Sequence, residues 1–343
     1  MKLKISTRLG LVISLLLVSA ILTITSTTFI RFQELLFEAE KREASETFEL
    51  LTGMIASRSR TAETLSVLLA NLPEVQQAMA NGDREYLSRQ LRSVYALLKK
   101  EYGLNQLQFH TPPATSFIRL HKLDQFGDDL SAIRPAVVEV NKTGKTAAGI
   151  ENGVAGLGIR GIAPISQQGQ HLGSVEFGME FDQPLLDRFK AEHGVQVALF
   201  VPQGQTFKAL HSTYGEHSPL SDQQLQAALS GEAIVQRMDF MGQPTTIYAR
   251  SIQDYSGKSI GVLEMLVDRS NYVAEINHMR NLILVIMGLV FVVGAVVIGW
   301  ITRSIRRPLG GEPAEMAALT GQIAHGDLTV QFANTGKETG IYA

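Results

Sequence analysis

Residues 109–141 read FHTPPATSFIRLHKLDQFGDDLSAIRPAVVEVN. Ser116–Lys122 alternates apolar and polar side chains, the period-two pattern of a strand with one wet face. The following Asp128–Asn141 segment reads as a helix that opens on GDDLS. Working outward, LNQLQFH (104–110) precedes this unit, and AGLGIRGIAPI (155–165) and GSVEFGMEF (173–181) follow it. All three are short alternating runs punctuated by Gly and Pro, as expected of an antiparallel sheet. A second round then begins: a helix over Pro184–Glu192, a strand VQVALFV (195–201), a polar loop through His217, and a short helix Ser221–Leu229. The strands AIVQRMDFM (233–241), PTTIYARSI (244–252) and SIGVLEMLV (259–267) complete it. The two rounds repeat an architecture, not a sequence.

Upstream, Arg31 to about Leu72 has one Gly (Gly53), no Pro, and apolar residues mostly three or four apart from Phe32 to Leu69. It reads as one long amphipathic helix, with a second helix over Asp83–Glu101. Two helix-then-sheet modules behind a long helix predict an α+β fold.

The apolar residues outside this region are concentrated in two stretches. Leu9–Ile30 and Leu282–Thr302 carry no charge over 22 and 21 residues, and each reaches roughly 30 Å as a helix, the thickness of a bilayer core. Lys2, Lys4 and Arg8 precede the first, and Arg303, Arg306 and Arg307 follow the second, so the positive-inside rule places both ends in the cytoplasm. The first stretch is too long for a signal-peptide core and lacks a small-x-small cleavage site, so an uncleaved anchor is expected. Trp300, the single tryptophan, falls near the inner end of the second stretch, where an indole prefers the headgroup region.

The 343 residues carry 31 basic and 33 acidic side chains, a near balance that offers no field for nucleic acid. With no cysteine there is no disulfide, thiolate metal site or cysteine nucleophile.

The stretch at 109–141, with AGIENGVAGLGIRGIAPI and HLGSVEFGMEF, resembles the double Cache sensor domain, in the variant found in methyl-accepting chemotaxis receptors and sensor kinases. The resemblance covers roughly residues 31–278. It implies a periplasmic sensor: the long helix at 31–72, a membrane-distal module at about 75–182 and a membrane-proximal one at about 183–270. Residues 1–8 would be cytoplasmic, and 9–30 and 281–302 the spans of a bacterial inner-membrane protein. ITRSIRRPLGGEPAEMAALTGQIAHGDLTVQF (301–332) is similar to the HAMP relay, matching its proline (Pro308), glutamate (Glu315) and GDL turn (Gly326, Asp327, Leu328). Leu309, Met316 and Ile323, with Leu319, suggest a short coiled-coil seam. Glu338 would open the second relay helix, so the relay at 303–343 is incomplete and the chain is expected to be a fragment that stops before a signalling domain. The resemblance implies a homodimer that senses a small molecule and acts on a chemotaxis coupling protein and kinase through that domain. The alternative is the sensory part of a histidine kinase or diguanylate cyclase.

For chemistry, His110, Arg119, His121 and Lys122 cluster near the first strand pair, and Arg119 and His121 share a face. With Arg160 they form a donor set able to grip a carboxylate, which predicts an organic-anion pocket. Against this stands a brace, in which Arg119 pairs with Asp128 or Asp129 and the histidines are packing residues. Asp128 and Asp129 themselves read either as caps of the following helix or as partners for a ligand ammonium. Glu151, Glu176 and Tyr248 are weaker candidates. No metal, cofactor or catalytic residue is expected: HExxH, GxSxG and phosphate-loop patterns are absent. Gly153, Gly156, Gly158 and Gly161 open no helix and read as turn and bulge glycines.

Overall fold

The computed structural model describes residues 5–153, 156–309, 313–326 and 329. It divides into two compact units, Ala39–Ser270 and the combination of Met1–Glu38 with Asn271–Ala343.

The larger unit holds two five-stranded antiparallel sheets. In the first, β1 (Leu104–Thr111), β2 (Thr115–Arg119), β3 (Ala147–Gly153), β4 (Gly156–Gln167) and β5 (Gln170–Glu180) lie in the order β2-β1-β5-β4-β3. The second repeats that order as β7-β6-β10-β9-β8, from β6 (Gln196–Gln203), β7 (Thr206–Ser212), β8 (Ile234–Phe240), β9 (Gln243–Gln253) and β10 (Ser259–Asp268). In each, the last strand lies at the centre, where both ladders satisfy its backbone.

Helix α1 runs from Ile5 to Ala70. Its Ala44, Phe48, Leu51, Ile55, Ala62 and Leu69 join one buried cluster with apolar residues of both sheets. Phe48 packs on Tyr248 with ring centroids 5.3 Å apart. Against the first sheet the helix approaches so closely that a β-carbon on Gly161 would lie 2.0 Å from the Glu63 amide nitrogen. Ser66 uses that proximity: its hydroxyl donates to the Gly161 carbonyl at 2.7 Å and accepts from the Phe177 amide at 3.1 Å.

The expected elements appear with four differences. A short helix α2 (Pro73–Asn81) precedes α3 (Arg84–Tyr102), with Pro73 in its first turn, where a missing N–H costs nothing. Strand β7 falls in the segment read as a polar loop, and β3 in one given no element. The helix expected from Asp128 begins instead at Pro135, as α4 (Pro135–Thr143). Proline disfavours helical geometry in the residue before it, and Arg134 sits at φ −126°, ψ 65°. Residues 128–134 therefore form a loop, pinned by a bridge between Thr115 and Asp129 and by the Leu130 amide donating to Ala114. The fourth concerns the glycines: Gly158 and Gly161 lie inside β4, not in turns. Two further helices, α5 (Gln183–His193) and α6 (Asp222–Leu229), cover the second sheet; α6 opens on a Ser221–Gln224 capping box.

In the smaller unit, the first turns of α1 and helix α7 (Ser270–Leu309) are each long and apolar enough to cross a membrane. They expose Leu15, Leu16, Val285, Leu289, Phe291 and Trp300. Thr25 and Thr27 return their hydroxyls to carbonyls one turn back, which removes bare donors from an apolar surface. Helix α8 spans Pro313–Ala324 and is followed by Gly326 at φ 89°. Asp327, Leu328 and Glu338, and the side chains of Leu309, Glu315 and Met316, lie outside the described residues, and with them the GDL turn and the expected seam.

Candidate functional site

Along β5 the polar positions Ser174, Glu176 and Glu180 alternate with Val175, Phe177 and Met179. The apolar set faces α1. The polar face, expected to be wet, is instead roofed by α4 and the 128–134 loop, and Glu176 is fully buried. A buried carboxylate must be paired, and two arginines do this. Arg160, from β4, donates to Glu176 Oε1 at 2.7 Å and to Gln106 Oε1 at 2.6 Å. Arg134, arriving at the start of α4, donates to Glu176 Oε2 at 2.6 Å and to Glu151 Oε2 at 2.9 Å. Glu151 also accepts from the Ala136 amide at 2.9 Å, so the first turn of α4 is anchored on the lattice.

Glycines make room for this lattice. A β-carbon on Gly153 or Gly158 would lie 2.6 and 3.0 Å from the Arg160 guanidinium, so Arg160 lies over bare backbone.

Electrostatics follow from the pairing. Burial alone would raise Glu176, but Arg134 and Arg160 outweigh it and hold the carboxyl at about 2. Burial pushes His110 down to about 3, with Arg134, Arg119 and Arg160 adding to the fall against the opposing pull of Glu176; the ring is neutral at physiological pH. Burial also raises Glu151 and lowers His121.

Above the lattice opens a cavity of about 690 Å3, within the usual range for small-molecule sites. Arg119, His121, Asp128 and Arg160 all line it, with Lys99, Gln106, Lys122, Arg134 and Glu180 among their neighbours. Arg119 forks onto Asp128 with two bonds of 2.7 Å and also donates to the Gln125 carbonyl. This pairing holds Asp128 below the ordinary carboxylate range.

Two of the six expected site residues stand apart from the lining. His110 is fully buried behind the wall, its Nε2 3.7 Å from Glu176. Asp129 is exposed and binds the Ser131 amide and hydroxyl, so it supports the loop and contributes nothing to the cavity. Tyr248 packs on α1 and donates to Ser45. Arg134 was not singled out from sequence; its signal is a lone cation in an otherwise apolar run, AIRPAVV.

In this region five buried side-chain polar atoms lack a direct hydrogen-bond partner among the described residues: both His110 ring nitrogens, His121 Nδ1, Arg160 Nε and Ser174 Oγ. Left empty, each costs about 1–3 kcal/mol.

Residues 38–272 match a family described as the double sensory domain of two-component sensor kinases, dCache_3. The chain belongs to that family. This double sensory domain is similar in solved structures to the sensory domain of a Campylobacter jejuni chemoreceptor with isoleucine bound: 13% identity, 68% of this chain and 94% of that one, TM-score 0.45. It is also similar to the sensor domain of the V. cholerae histidine kinase DctB (11%, 69% and 98%, TM-score 0.45). A third likeness is to a domain of a putative sensory box/GGDEF family protein from Vibrio parahaemolyticus (14%, 66% and 94%, TM-score 0.43). No curated protein sequence matches the chain.

Proposed function

We propose that the chain is the sensing part of a transmembrane chemoreceptor, and that the first-sheet cavity binds a small organic anion outside the membrane. Spans at 9–30 and 281–302 place the double sensory domain at 31–278 in the periplasm of a bacterial inner-membrane homodimer. A HAMP relay from residue 303 carries the signal inward to a signalling domain beyond it.

The observation that supports the ligand class is the cationic lining of the cavity, to which Lys99, Arg119, Lys122, Arg134 and Arg160 all contribute. The ledger of charges points the same way. Arg134 and Arg160 are offset by Glu151 and Glu176, and Arg119 by Asp128, which leaves Lys99 and Lys122 facing Glu180. A ligand carboxylate would draw on the two lysines, which no residue of the buried lattice neutralises. It can shift the receptor only by binding one packing of the modules better than another.

A thermal-shift screen of the full chain in detergent, with small carboxylic acids, amines and sugars, tests this. Acids should raise Tm, and Lys99→Gln combined with Lys122→Gln should abolish the rise. A rise with amines or sugars alone would contradict the anion reading and turn attention to Asp128 and Glu180 as ammonium partners.

The second reading is a sensor kinase, favoured by the wording of the family description. The two part on phenotype: a chemoreceptor deletion abolishes directed swimming toward the ligand, whereas a kinase deletion abolishes ligand-dependent phosphotransfer.

A further inference from the structure

The two modules repeat more than an architecture. On the central strand of the first sheet stand Leu172-Gly173-Ser174-Val175-Glu176; on that of the second, Ile260-Gly261-Val262-Leu263-Glu264. Both glycines abut the neighbouring strand: a β-carbon would lie 2.0 Å from the His110 carbonyl oxygen at Gly173 and 2.7 Å from that of Phe200 at Gly261. Glu176 and Glu264 are therefore equivalent positions, and both are fully buried. Their surroundings differ in one respect. Glu176 has two arginines; Glu264 has two hydroxyls.

Tyr214 donates to one carboxyl oxygen of Glu264 and Ser218 to the other, at 2.5 Å for the serine. Both sit on the segment between β7 and α6, and Ser218 also accepts from the Leu220 amide, so the carboxyl pins that segment to the sheet. The rest of the surroundings are apolar: Val262, Leu266, Ile247 and Ala249 on the strands, Leu225 and Ala228 on α6.

Among the described residues no charged group pairs with Glu264; on α5, Lys190 donates instead to the Thr213 carbonyl at 3.3 Å. On β8 and β9, Arg237 and Arg250 reach Glu40 and Glu49 of α1 on the opposite face of the sheet, and Asp239 alternates onto that face with Arg237. On β7, Lys208 is exposed opposite Val201 and His211 stacks on Phe181. Asp268, farther along β10, is exposed and binds Ser270. Glu216 and His217 on the loop, Asp222 on α6 and Glu232 just after it all face solvent.

We infer that the second module carries a proton-binding site of its own, in which protonated Glu264 closes the 213–221 segment onto the sheet and loss of the proton to solvent releases it. Protonation reverses the Ser218 contact: the acid's O–H then donates to Ser218 Oγ while its carbonyl still accepts from Tyr214, and no net charge is buried. Burial raises the Glu264 carboxyl above its usual range, outweighing the opposing pull of the Ser218 and Tyr214 hydroxyls, whereas an opened, hydrated Glu264 returns to it. The closed form thus holds the proton more tightly, and rising pH favours opening. This site is separate from the first-sheet cavity and stands whether or not that cavity takes an anion.

Hydrogen–deuterium exchange of residues 213–221 in the full chain in detergent, scanned from about pH 5 to about pH 8 and corrected for the intrinsic rate, is the test. Protection should fall by up to about tenfold per pH unit while Glu264 titrates. Glu264→Gln, a neutral isostere of the protonated acid, should hold protection flat. A pH-difference infrared spectrum supplies a second readout: a protonated-carboxyl stretch that bleaches as pH rises in the parent and is absent from Glu264→Gln. Equal pH slopes in the two proteins, or identical infrared differences, would overturn the inference.

Discussion

Arg134 binds two buried carboxylates at once, and that places much of the first module's stability on a single side chain. Removing one partner of a buried ion network strands the others without water, which costs about 3–5 kcal/mol. Arg134→Met should therefore lower unfolding stability by that order in denaturant titration of the full chain, and adding Glu176→Gln should restore part of the loss. A loss below about 1 kcal/mol would show that solvent reaches the lattice. At this scale the sequence is partly legible. Arg119 and His121 stand two apart on an alternating run, so their shared wall can be read directly. Arg134, Glu151 and Glu176 meet from three elements, and spacing carries no information about such a meeting. Asp129 looks equivalent to its neighbour Asp128, but the backbone bridge at Thr115 turns only one of them toward Arg119.

At the scale of elements, packing between α1 and the first sheet depends on one absent side chain. A β-carbon at Gly161 collides with helix backbone, which cannot swing aside as a side chain can. Gly161→Ala should cost about 2–4 kcal/mol, visible as a lowered Tm, because helix and sheet must separate to admit it. Gly53 offers the contrast: it is an exposed helical glycine with nothing within 4 Å, and Gly53→Ala should be neutral or gain up to about 1 kcal/mol. Strands with clean alternation, such as β1, β5 and β9, could be read from the sequence. β3 (AAGIENG) could not, since Ile150 is its single large apolar residue, and β7 (TFKALHS) hides among polar loop residues. The start of α4 was misplaced because GDDLS imitates an N-terminal cap; Pro135 decides the matter.

For the whole molecule, the α+β class and the two-sheet plan follow from element order, and the shared strand order of the sheets makes the repeat concrete. The G-x-x-E correspondence within the repeat escapes a reading of the sequence, because two residues that recur 88 positions later become significant only when the strands are superposed in register. Two uncharged stretches with cationic outer flanks underlie the central claim, that the folded middle samples the outside of the cell. The absence of native cysteine makes that claim directly measurable. Single substitutions Met241→Cys, at an 80% exposed residue of the second module, and Ser304→Cys, beyond the second apolar stretch, are treated with a membrane-impermeant maleimide in intact spheroplasts. The account predicts labelling at 241 without lysis and at 304 only after permeabilisation; labelling at 304 in intact spheroplasts, with 241 protected, would contradict it.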